Sequence, residues 1–227
     1  ARLRRRKGRE AKPFAVMAPD LASAERLAEV DPVARALLAG PERPIVLLPR
    51  KDGCGLPEEL APGLRRIGLF LPYTPLHDLL CRGAGRPLVM TSGNLTDDPI
   101  AYAEEDAARR LGGIADAFLR HDRPILRRCE DSVIAAGGGR SVMVRRARGY
   151  APAPVAVARA GRATILAVGG DLKNTFCLLA GPQAFVSPHL GELRHLAAFE
   201  QFRCDISDVE HLLRARPDAV ACDLHPD

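Results

Sequence analysis

A Pro/Ala-rich stretch divides the chain into two segments that differ in their pattern of apolar residues. It occupies residues 151–162, reads APAPVAVARAGR and contains no aromatic or long aliphatic side chain. Such a composition is typical of a linker. We therefore expect one domain over residues 1–150 and the start of a second over residues 163–227.

The first segment alternates short apolar runs with stretches that carry helix caps and stops. The runs RPIVLLPR, IGLFLPY and PLVMTSGN predict strands. Residues 18–40 predict two short helices, because Asp31-Pro32 supplies a cap followed by proline and Gly40 supplies a stop. PLHDLLCRG predicts a further helix, and AEEDAARRLGGIADAFL predicts another with a glycine interruption. SVIAAGGGRSVMVRRARGY predicts a hairpin that turns on three glycines. This alternation predicts an α/β fold with a mixed sheet.

The second segment has a different pattern of predicted strands and turns. ATILAVGGDLKNTFCLLAGPQAFV reads as three strands joined by a Gly-Gly turn and a Gly-Pro turn, the pattern of an antiparallel meander. After it, five apolar residues fall close to one helical face: Leu196, Phe199, Ile206, Val209 and Leu213. The run DAVACDL predicts a last, buried strand.

The charge balance favours anionic ligands. A formal net charge of +5 and a pI near 9.1 suit nucleotides, phosphorylated metabolites or nucleic acid. No apolar run approaches the roughly 18 residues of a membrane span, and no signal-peptide pattern is present, so we expect a cytoplasmic protein. The six cysteines are widely separated, which predicts buried thiols rather than disulfides or zinc ligands.

Two short motifs offer polar groups to a ligand. Lys7 and Arg9 flank Gly8 just before an apolar run, and if the backbone there is extended, both side chains point to the same side. Ser92 and Asn94 are also two residues apart, at the end of a predicted strand, where parallel α/β sheets usually bind ligands. Two cations beside a hydroxyl and an amide suit a polyphosphate. Each motif alone also fits a solvated helix end or an ordinary turn.

The order of these residues resembles the YrdC-like domain, whose signature is Lys-x-Arg followed by Ser-x-Asn. Seven blocks together resemble the HypF family of carbamoyltransferases, which mature nickel–iron hydrogenases. They are LRRRKGREAKPFAVM, LPYTPLHDLL, LVMTSGN, FLRHDRPILRRCEDSV, VRRARGYAP, GGDLKNTFCL and CDLHP. The resemblance spans essentially the whole chain. It implies a YrdC-like twisted mixed sheet with helices, followed by the first β-meander of an actin/sugar-kinase-like domain.

The resemblance also implies a set of site residues. Catalytic contacts would come from Lys7, Arg9, Ser92 and Asn94. Further contacts to nucleotide and phosphate in the first domain would come from Asp131, Ser132, Arg145, Arg146, Arg148, His121 and Arg123. A hairpin of the second domain would approach a nucleotide phosphate through Gly169, Gly170, Lys173 and Asn174. By residue type alone, that hairpin fits an ordinary turn equally well.

The chemistry implied by the resemblance is ATP-dependent. HypF proteins use ATP and carbamoyl phosphate to make carbamoyl adenylate with release of pyrophosphate, and they pass the carbamoyl group to the C-terminal cysteine of HypE. ATP, carbamoyl phosphate, Mg²⁺ and HypE are thus the implied substrates, cofactor and partner. Attack of a carbamate oxygen on the α-phosphorus brings anions together, so positioning and cationic neutralisation would carry the catalysis. Mg²⁺ would be held mainly by phosphate oxygens and water.

No metal site is expected within the chain. His189, Glu192 and His225 are isolated in the sequence, and such histidines are more often structural than metal-ligating. The zinc or iron sites of the family, its acylphosphatase and zinc-finger modules and the first YrdC-like strand are expected outside these 227 residues. We therefore expect the chain alone to fold but to carbamoylate poorly.

Two other functions remain open at this point. A double-stranded RNA-binding module would use ARLRRRKGRE against phosphates, although 4% aromatic residues leave few stacking groups. A tRNA threonylcarbamoyl adenylate synthase shares both motifs, although the continuation GGDLKNTFCL argues against it. A hydrolase built on Ser92, His121 and Asp122 is disfavoured, because the sequence has no nucleophile-elbow pattern.

Overall fold

The chain forms two compact units, Ala1–Arg145 and Arg146–Asp227. The structure, a computed structural model, describes four stretches of the chain: residues 1–95, 98–159, 161–194 and 196–224. Each unit has its own sheet and its own apolar core. Within the stretch predicted as a linker, Val155–Ala156 form an edge strand of the second sheet. The domain boundaries at residues 150 and 162 stay predictions.

The first unit alternates helices and strands. In chain order its elements are α1 (Arg2–Arg6), β1 (Ala15–Met17), α2 (Leu21–Leu27), α3 (Pro32–Ala39), β2 (Ile45–Pro49), a 3₁₀ turn (Glu58–Leu60), β3 (Arg66–Phe70), α4 (Pro75–Ala84), β4 (Leu88–Met90), α5 (Glu104–Leu111), β5 (Val133–Gly137) and β6 (Arg140–Arg145). The six strands form one mixed sheet in the order β4-β1-β3-β2-β5-β6. The prediction of an α/β fold with a mixed sheet is confirmed.

Local chemistry determines the helix boundaries. The carboxylate of Asp31 accepts a hydrogen bond from the main-chain N–H of Ala34 at 2.8 Å, so the predicted cap of α3 is confirmed. In AEEDAARRLGGIADAFL the predicted interruption is present after Leu111, but the prediction that the helix continues beyond it is wrong. Gly112 and Gly113 follow, and two adjacent glycines make continued helix costly.

The pairing of β1 determines where the two sequence motifs meet. β1 runs parallel to β3, with Ala15 opposite Gly68, and antiparallel to β4, with Ala15 opposite Met90. Because β4 is antiparallel to β1, the segment before β1 and the segment after β4 lie at the same end of this pair. The expected setting, the carboxyl ends of parallel strands, is therefore wrong. An antiparallel edge pair brings the motifs together instead.

The second unit contains the predicted meander. Its elements are β7 (Val155–Ala156), β8 (Ile165–Ala167), β9 (Cys177–Ala180), β10 (Gln183–Val186), α6 (Leu196–Leu213) and β11 (Ala219–Ala221), with strand order β11-β8-β9-β10-β7. The β8–β9 and β9–β10 pairs are both antiparallel, so the meander is confirmed. α6 packs on this sheet through Phe202, whose ring meets that of Phe176 edge to face at 6.0 Å between centroids.

Three expectations about burial are wrong. Leu196 and Phe199 are exposed at the start of α6, because Ala198 and Phe202 take the buried positions there. β11 is exposed, because it lies at the edge of its sheet and pairs within it only with β8. Of the six cysteines, Cys81 alone is buried. No helix in the described ranges is both long and apolar enough to cross a membrane.

Candidate functional site

The first motif forms a turn rather than a strand. Lys7 caps the end of α1 with φ −84° and ψ −5°, and Gly8 adopts φ 60°, a left-handed conformation that favours glycine. The expectation of an extended backbone over Lys7–Arg9 is therefore wrong. The two side chains nevertheless reach the same neighbour, the segment that follows β4.

Lys7 is held against the second motif. Its side chain is buried, with 3% of the residue exposed. Nζ donates to the main-chain oxygen of Ser92 at 2.6 Å and to Asn94 Oδ1 at 3.2 Å. Residues separated by 85 positions in the sequence thus meet directly. The predicted convergence of the two motifs is present in the structure.

Arg9 lies beside Lys7 and is oriented by main-chain oxygens. Nε donates to the oxygen of Lys12 at 2.9 Å, Nη2 to the oxygen of Pro13, and Nη1 to Thr91 Oγ1 at 3.1 Å. The guanidinium also lies 4.6 Å from the ring centroid of Phe14. A guanidinium has five N–H donors, and three are used in these described contacts. Two N–H groups are therefore available to an anion.

The second motif is a compact turn with internal hydrogen bonds. Ser92 Oγ donates to Asn94 Oδ1 at 2.7 Å, and Asn94 Nδ2 donates to the main-chain oxygen of Asp98 at 2.7 Å. Both side chains are partly exposed. The turn therefore presents a hydroxyl and an amide at the surface while its geometry stays constrained by Lys7.

The electrostatic environment of Lys7 favours binding of an anion. Burial lowers the pKa of the Lys7 ammonium to about 8, with further lowering from the charges of Arg9 and Lys12 and a smaller opposing effect from Glu130. A cation that has lost part of its hydration and lies next to other cations is held less favourably than in water. A bound anion would favour the charged form of Lys7 and raise its pKa.

Glu130, in the stretch before β5, and Arg145, at the end of β6, act electrostatically on Arg9. Burial lowers the pKa of Arg9, the charges of Arg4 and Arg145 lower it further, and Glu130 opposes them. Glu130 forms an ion pair with Arg145 at 3.2 Å, and Arg145 Nε donates to the main-chain oxygen of Asp131 at 2.8 Å. Arg145, predicted from the sequence, therefore acts electrostatically on Arg9, and the main chain of Asp131, also predicted, helps to position Arg145.

Other predicted residues lie elsewhere. Ser132 is fully buried, and its main-chain oxygen accepts from the N–H of Ile45 at 2.8 Å. His121 and Arg123 are exposed, and neither forms a described hydrogen bond or ion pair with Lys7 or the residues around it. His121 instead lies close enough to Glu104 to help lower the pKa of that carboxyl. Their roles as pocket residues stay predictions.

Arg146 and Arg148 belong to the second unit. Arg146 Nη1 donates to the oxygen of Val186 at 2.8 Å, and Nη2 donates to the oxygens of Tyr150 and Ala153, each at 2.6 Å. This guanidinium holds main chain together, so the geometry gives no support to the prediction that Arg146 binds phosphate. Arg148 is half-buried and forms a main-chain bridge with Ala151.

The turn between β8 and β9 carries the predicted residues of the second unit. Asn174 is 1% exposed, and its Nδ2 donates to the main-chain oxygens of Val168 and Gly170 at 3.0 and 2.7 Å. Lys173 is exposed with φ 52°, and Gly169 has φ 71°. The amide of Asn174 thus shapes the turn from inside, whereas Gly169, Gly170 and Lys173 are exposed.

Three residues of the first site were missed by sequence reasoning: Thr91, Phe14 and Glu130. Thr91 accepts from Arg9, and its position next to Ser92 was the available signal. The ring of Phe14 lies between Arg9 and Arg4, whose guanidinium carbon is 4.7 Å from the ring centroid. A phenylalanine before a strand reads as a core residue, so no sequence pattern identifies this role.

The residues near Lys7 can accommodate Mg²⁺ that is bound mainly by substrate. The described residues contain no group of three or more His, Cys, Asp or Glu side chains that could hold a metal ion. Glu130 is a carboxylate whose charge reaches both Lys7 and Arg9. Mg²⁺ in nucleotide sites often takes one or two carboxylates and completes its shell with phosphate oxygens and water, which fits this arrangement. His225 lies outside the described residues.

Comparisons with known proteins identify two family profiles and several relatives that match this chain. Residues 1–147 match the profile of the Sua5, YciO and YrdC family, described as telomere recombination, and residues 160–227 match that of the HypF Kae1-like domain. The carbamoyltransferase HypF2 of Cupriavidus necator is 46% identical over 100% of this chain and 30% of its own length. HypF of Rhodobacter capsulatus is 46% identical over 99% of the chain and 30% of its own length.

A solved structure of HypF is also similar to this chain. The crystal structure of full-length HypF in a phosphate- and nucleotide-bound form superposes with a TM-score of 0.93 at 43% identity, over 98% of this chain and 35% of that one. The chain belongs to the Sua5, YciO and YrdC family, whose profile covers more than half of it. With the Kae1-like segment that follows, it belongs more narrowly among the HypF carbamoyltransferases. It spans about 30% of the length of these curated relatives.

Proposed function

We propose that the first unit forms carbamoyl adenylate from ATP and a carbamoyl group delivered by carbamoyl phosphate. The observation that carries this proposal is the contact of Lys7 Nζ with both the Ser92 oxygen and Asn94 Oδ1, beside an oriented Arg9. The family to which the chain belongs and the nucleotide-bound HypF relative support it. The cytoplasm, where ATP is available, is the proposed location.

In this reaction, water first hydrolyses carbamoyl phosphate to carbamate and inorganic phosphate, and a carbamate oxygen then attacks the α-phosphorus of ATP. The new oxygen–phosphorus bond forms as the bond to the β-phosphate oxygen breaks, and pyrophosphate leaves with that electron pair. Lys7 supplies a concentrated charge, and the two remaining N–H groups of Arg9 offer directional hydrogen bonds to phosphate oxygens. Arg145 adds charge, and Glu130 keeps Arg145 in place through their ion pair. When bound, Mg²⁺ supplies further neutralisation of the phosphates.

The second unit would take part in transfer. We propose that its β8–β9 turn approaches a nucleotide phosphate through the main chain of Gly169 and Gly170, with Lys173 as a solvated cation. The proposed acceptor is the C-terminal cysteine of HypE. Its thiolate would attack the carbamoyl carbon, and AMP would leave.

RNA binding has less support. Much of the charge of α1 is engaged within the protein: Arg2 and Arg6 pair with Asp116, and Arg4 Nη1 donates to the main-chain oxygens of Arg9, Glu10 and Lys12. These contacts leave few cations of the helix for a nucleic-acid backbone. The basic N-terminal stretch is better explained as a support for the Lys7–Arg9 turn.

The test is exchange of labelled pyrophosphate into ATP by the full-length protein. We expect exchange that requires carbamoyl phosphate, and only slow exchange by residues 1–227 alone. Exchange that requires threonine and bicarbonate would instead identify a threonylcarbamoyl adenylate synthase. Absence of exchange with any of these substrates would contradict the proposal, and tight RNA binding without nucleotide would favour the alternative.

A further inference from the structure

The hydrogen-bond network around Asn94 determines the orientation of its amide. One terminal atom lies 2.7 Å from the main-chain oxygen of Asp98, which can only accept, so that atom is Nδ2. The other lies 3.2 Å from Lys7 Nζ, which can donate, so that atom is Oδ1. A flipped amide would place two acceptors against each other at one end and two donors at the other. Both contacts therefore give the same assignment.

This orientation determines the direction of the hydrogen bond of Ser92. Its Oγ lies 2.7 Å from Asn94 Oδ1, and an amide oxygen has no proton to give. The hydroxyl proton of Ser92 is therefore committed to Asn94. Toward any ligand, Ser92 Oγ presents only lone pairs, so it repels a phosphate oxygen and attracts an N–H or O–H donor.

The surroundings of Ser92 restrict what that donor can be. Its main-chain oxygen is 2.6 Å from Lys7 Nζ, so the acceptor hydroxyl lies beside a desolvated cation. A ligand at this point meets the positive charge of Lys7 and the acceptor hydroxyl of Ser92 within a small distance, so a group that combines negative charge with a hydrogen-bond donor suits both. A carbamate has both features on one carbon atom, because its oxygens carry the charge and its nitrogen carries the protons.

We propose that Ser92 Oγ accepts a hydrogen bond from the amino group of the carbamoyl moiety and thereby selects an acyl group that carries N–H. The inference rests on the proposed adenylate chemistry and specifies how that site recognises its acyl substrate. Lys7 and Arg9 hold the anionic part of the substrate, and Ser92 distinguishes carbamoyl from acyl groups of the same shape without a donor.

The test compares two adenylate analogues that differ in this one group. They are 5′-O-(N-carbamoylsulfamoyl)adenosine and 5′-O-(N-acetylsulfamoyl)adenosine, in which NH₂ is replaced by a methyl group of similar size. Binding to the full-length protein is measured by titration calorimetry. We expect the carbamoyl analogue to bind about five- to tenfold more tightly, the contribution of one neutral hydrogen bond.

Variants of Ser92 test whether its hydroxyl causes the difference in affinity between the two analogues. Ser92→Ala is expected to bring the two affinities within about twofold of each other, whereas Ser92→Thr, which keeps the hydroxyl, is expected to retain the preference. Ser92→Cys, whose sulfur is a weak acceptor, provides a second variant if alanine prevents folding, and it too should lose the preference. A wild-type ratio near one, or a preference that survives in the alanine or cysteine variant, would overturn the inference. If neither analogue binds at all, the proposed adenylate chemistry itself fails.

Discussion

The same two residue types serve opposite purposes in the two units. In the first unit, Lys7 is 3% exposed and Asn94 is partly exposed. In the second, Lys173 is exposed and Asn174 is 1% exposed. In the contact between Lys7 and the Ser92–Asn94 turn, burial lowers the pKa of the lysine, and a bound anion would favour its charged form. In the β8–β9 turn, the buried amide of Asn174 donates to main-chain oxygens, and Lys173 is exposed to water. The contrast shows that topology, rather than residue type, decides which side chain is buried.

The largest expected effect comes from removing the buried cation. Lys7→Met keeps the length of the side chain and removes its charge, and we expect the rate of pyrophosphate exchange to fall about 100- to 1,000-fold. Lys51→Met is the matched control in the same unit, because Lys51 is exposed and its Nζ donates to the main-chain oxygen of Glu25. Equal losses in the two variants would remove the distinction between buried and solvated lysines.

Substitution of the glycines in the β8–β9 turn tests the geometry of the second unit. Gly169 has φ 71°, and a Cβ there would lie 2.3 Å from the main-chain oxygen of Thr175, so Gly169→Ala should destabilise this unit by about 3 kcal/mol. At Gly170 the nearest neighbour of a Cβ, Asp223 Oδ2, would be 3.8 Å away. Gly170→Ala should therefore cost much less. Thermal unfolding measures both, and similar melting temperatures for the two variants would count against the turn geometry.

The pH dependence of binding separates Lys7 from Lys173. The pKa of Lys7 is lowered to about 8 from its ordinary value of 10.5, so above pH 8 the free protein must take up a proton before it binds an anion. Affinity for the carbamoyl analogue should fall about tenfold per pH unit there. The stability of the unliganded protein should change in the opposite direction, because the unfolded chain binds more protons than the folded one between pH 8 and 10.5.

Calorimetric titrations from pH 6.5 to 9.5 and urea unfolding over the same range would check these two trends. The Lys7→Met variant provides the control, since both trends should be absent from it. An affinity that stays constant through pH 8 in the wild-type protein would show that Lys7 is not the group that meets the anion.

The smallest expected effect concerns the orientation of Arg9. Phe14→Leu removes the ring between Arg4 and Arg9, and we expect the dissociation constant for ATP to rise about two- to fivefold. Phe70→Leu is a control with a similarly buried ring in the same unit, 2% exposed and without these cations. Its affinity for ATP should stay at the wild-type value, even if both variants lose similar stability.

Much of the fold follows from local sequence signals. The Asp31-Pro32 cap, the glycine turn between β5 and β6 and the meander of the second unit all depend on residues close in sequence. The predicted association of Lys7 with Asn94 is present as well, but for another reason. The sequence argument assumed an extended backbone and parallel strands, whereas a helix end, a left-handed Gly8 and an antiparallel β1–β4 pair produce the contact.

Other features of the site could not be read from the sequence. The burial of Lys7, the stacking of Arg9 on Phe14 and the ion pair of Glu130 with Arg145 depend on packing between distant segments. Arg146 shows the converse problem, because an arginine in a basic run looks like a phosphate ligand until its carbonyl partners are seen. Charge patterns identify a surface suited to anions and leave the individual roles undetermined.

The most direct test of the account is a double-mutant cycle between the two motifs, with the carbamoyl analogue as ligand. Lys7→Met, Asn94→Ala and the double variant are compared by their dissociation constants. Because Lys7 Nζ and Asn94 Oδ1 are in contact, the loss in the double variant should be at least about tenfold smaller than the product of the single losses. Losses that multiply without coupling would show that the two motifs do not form one anion site.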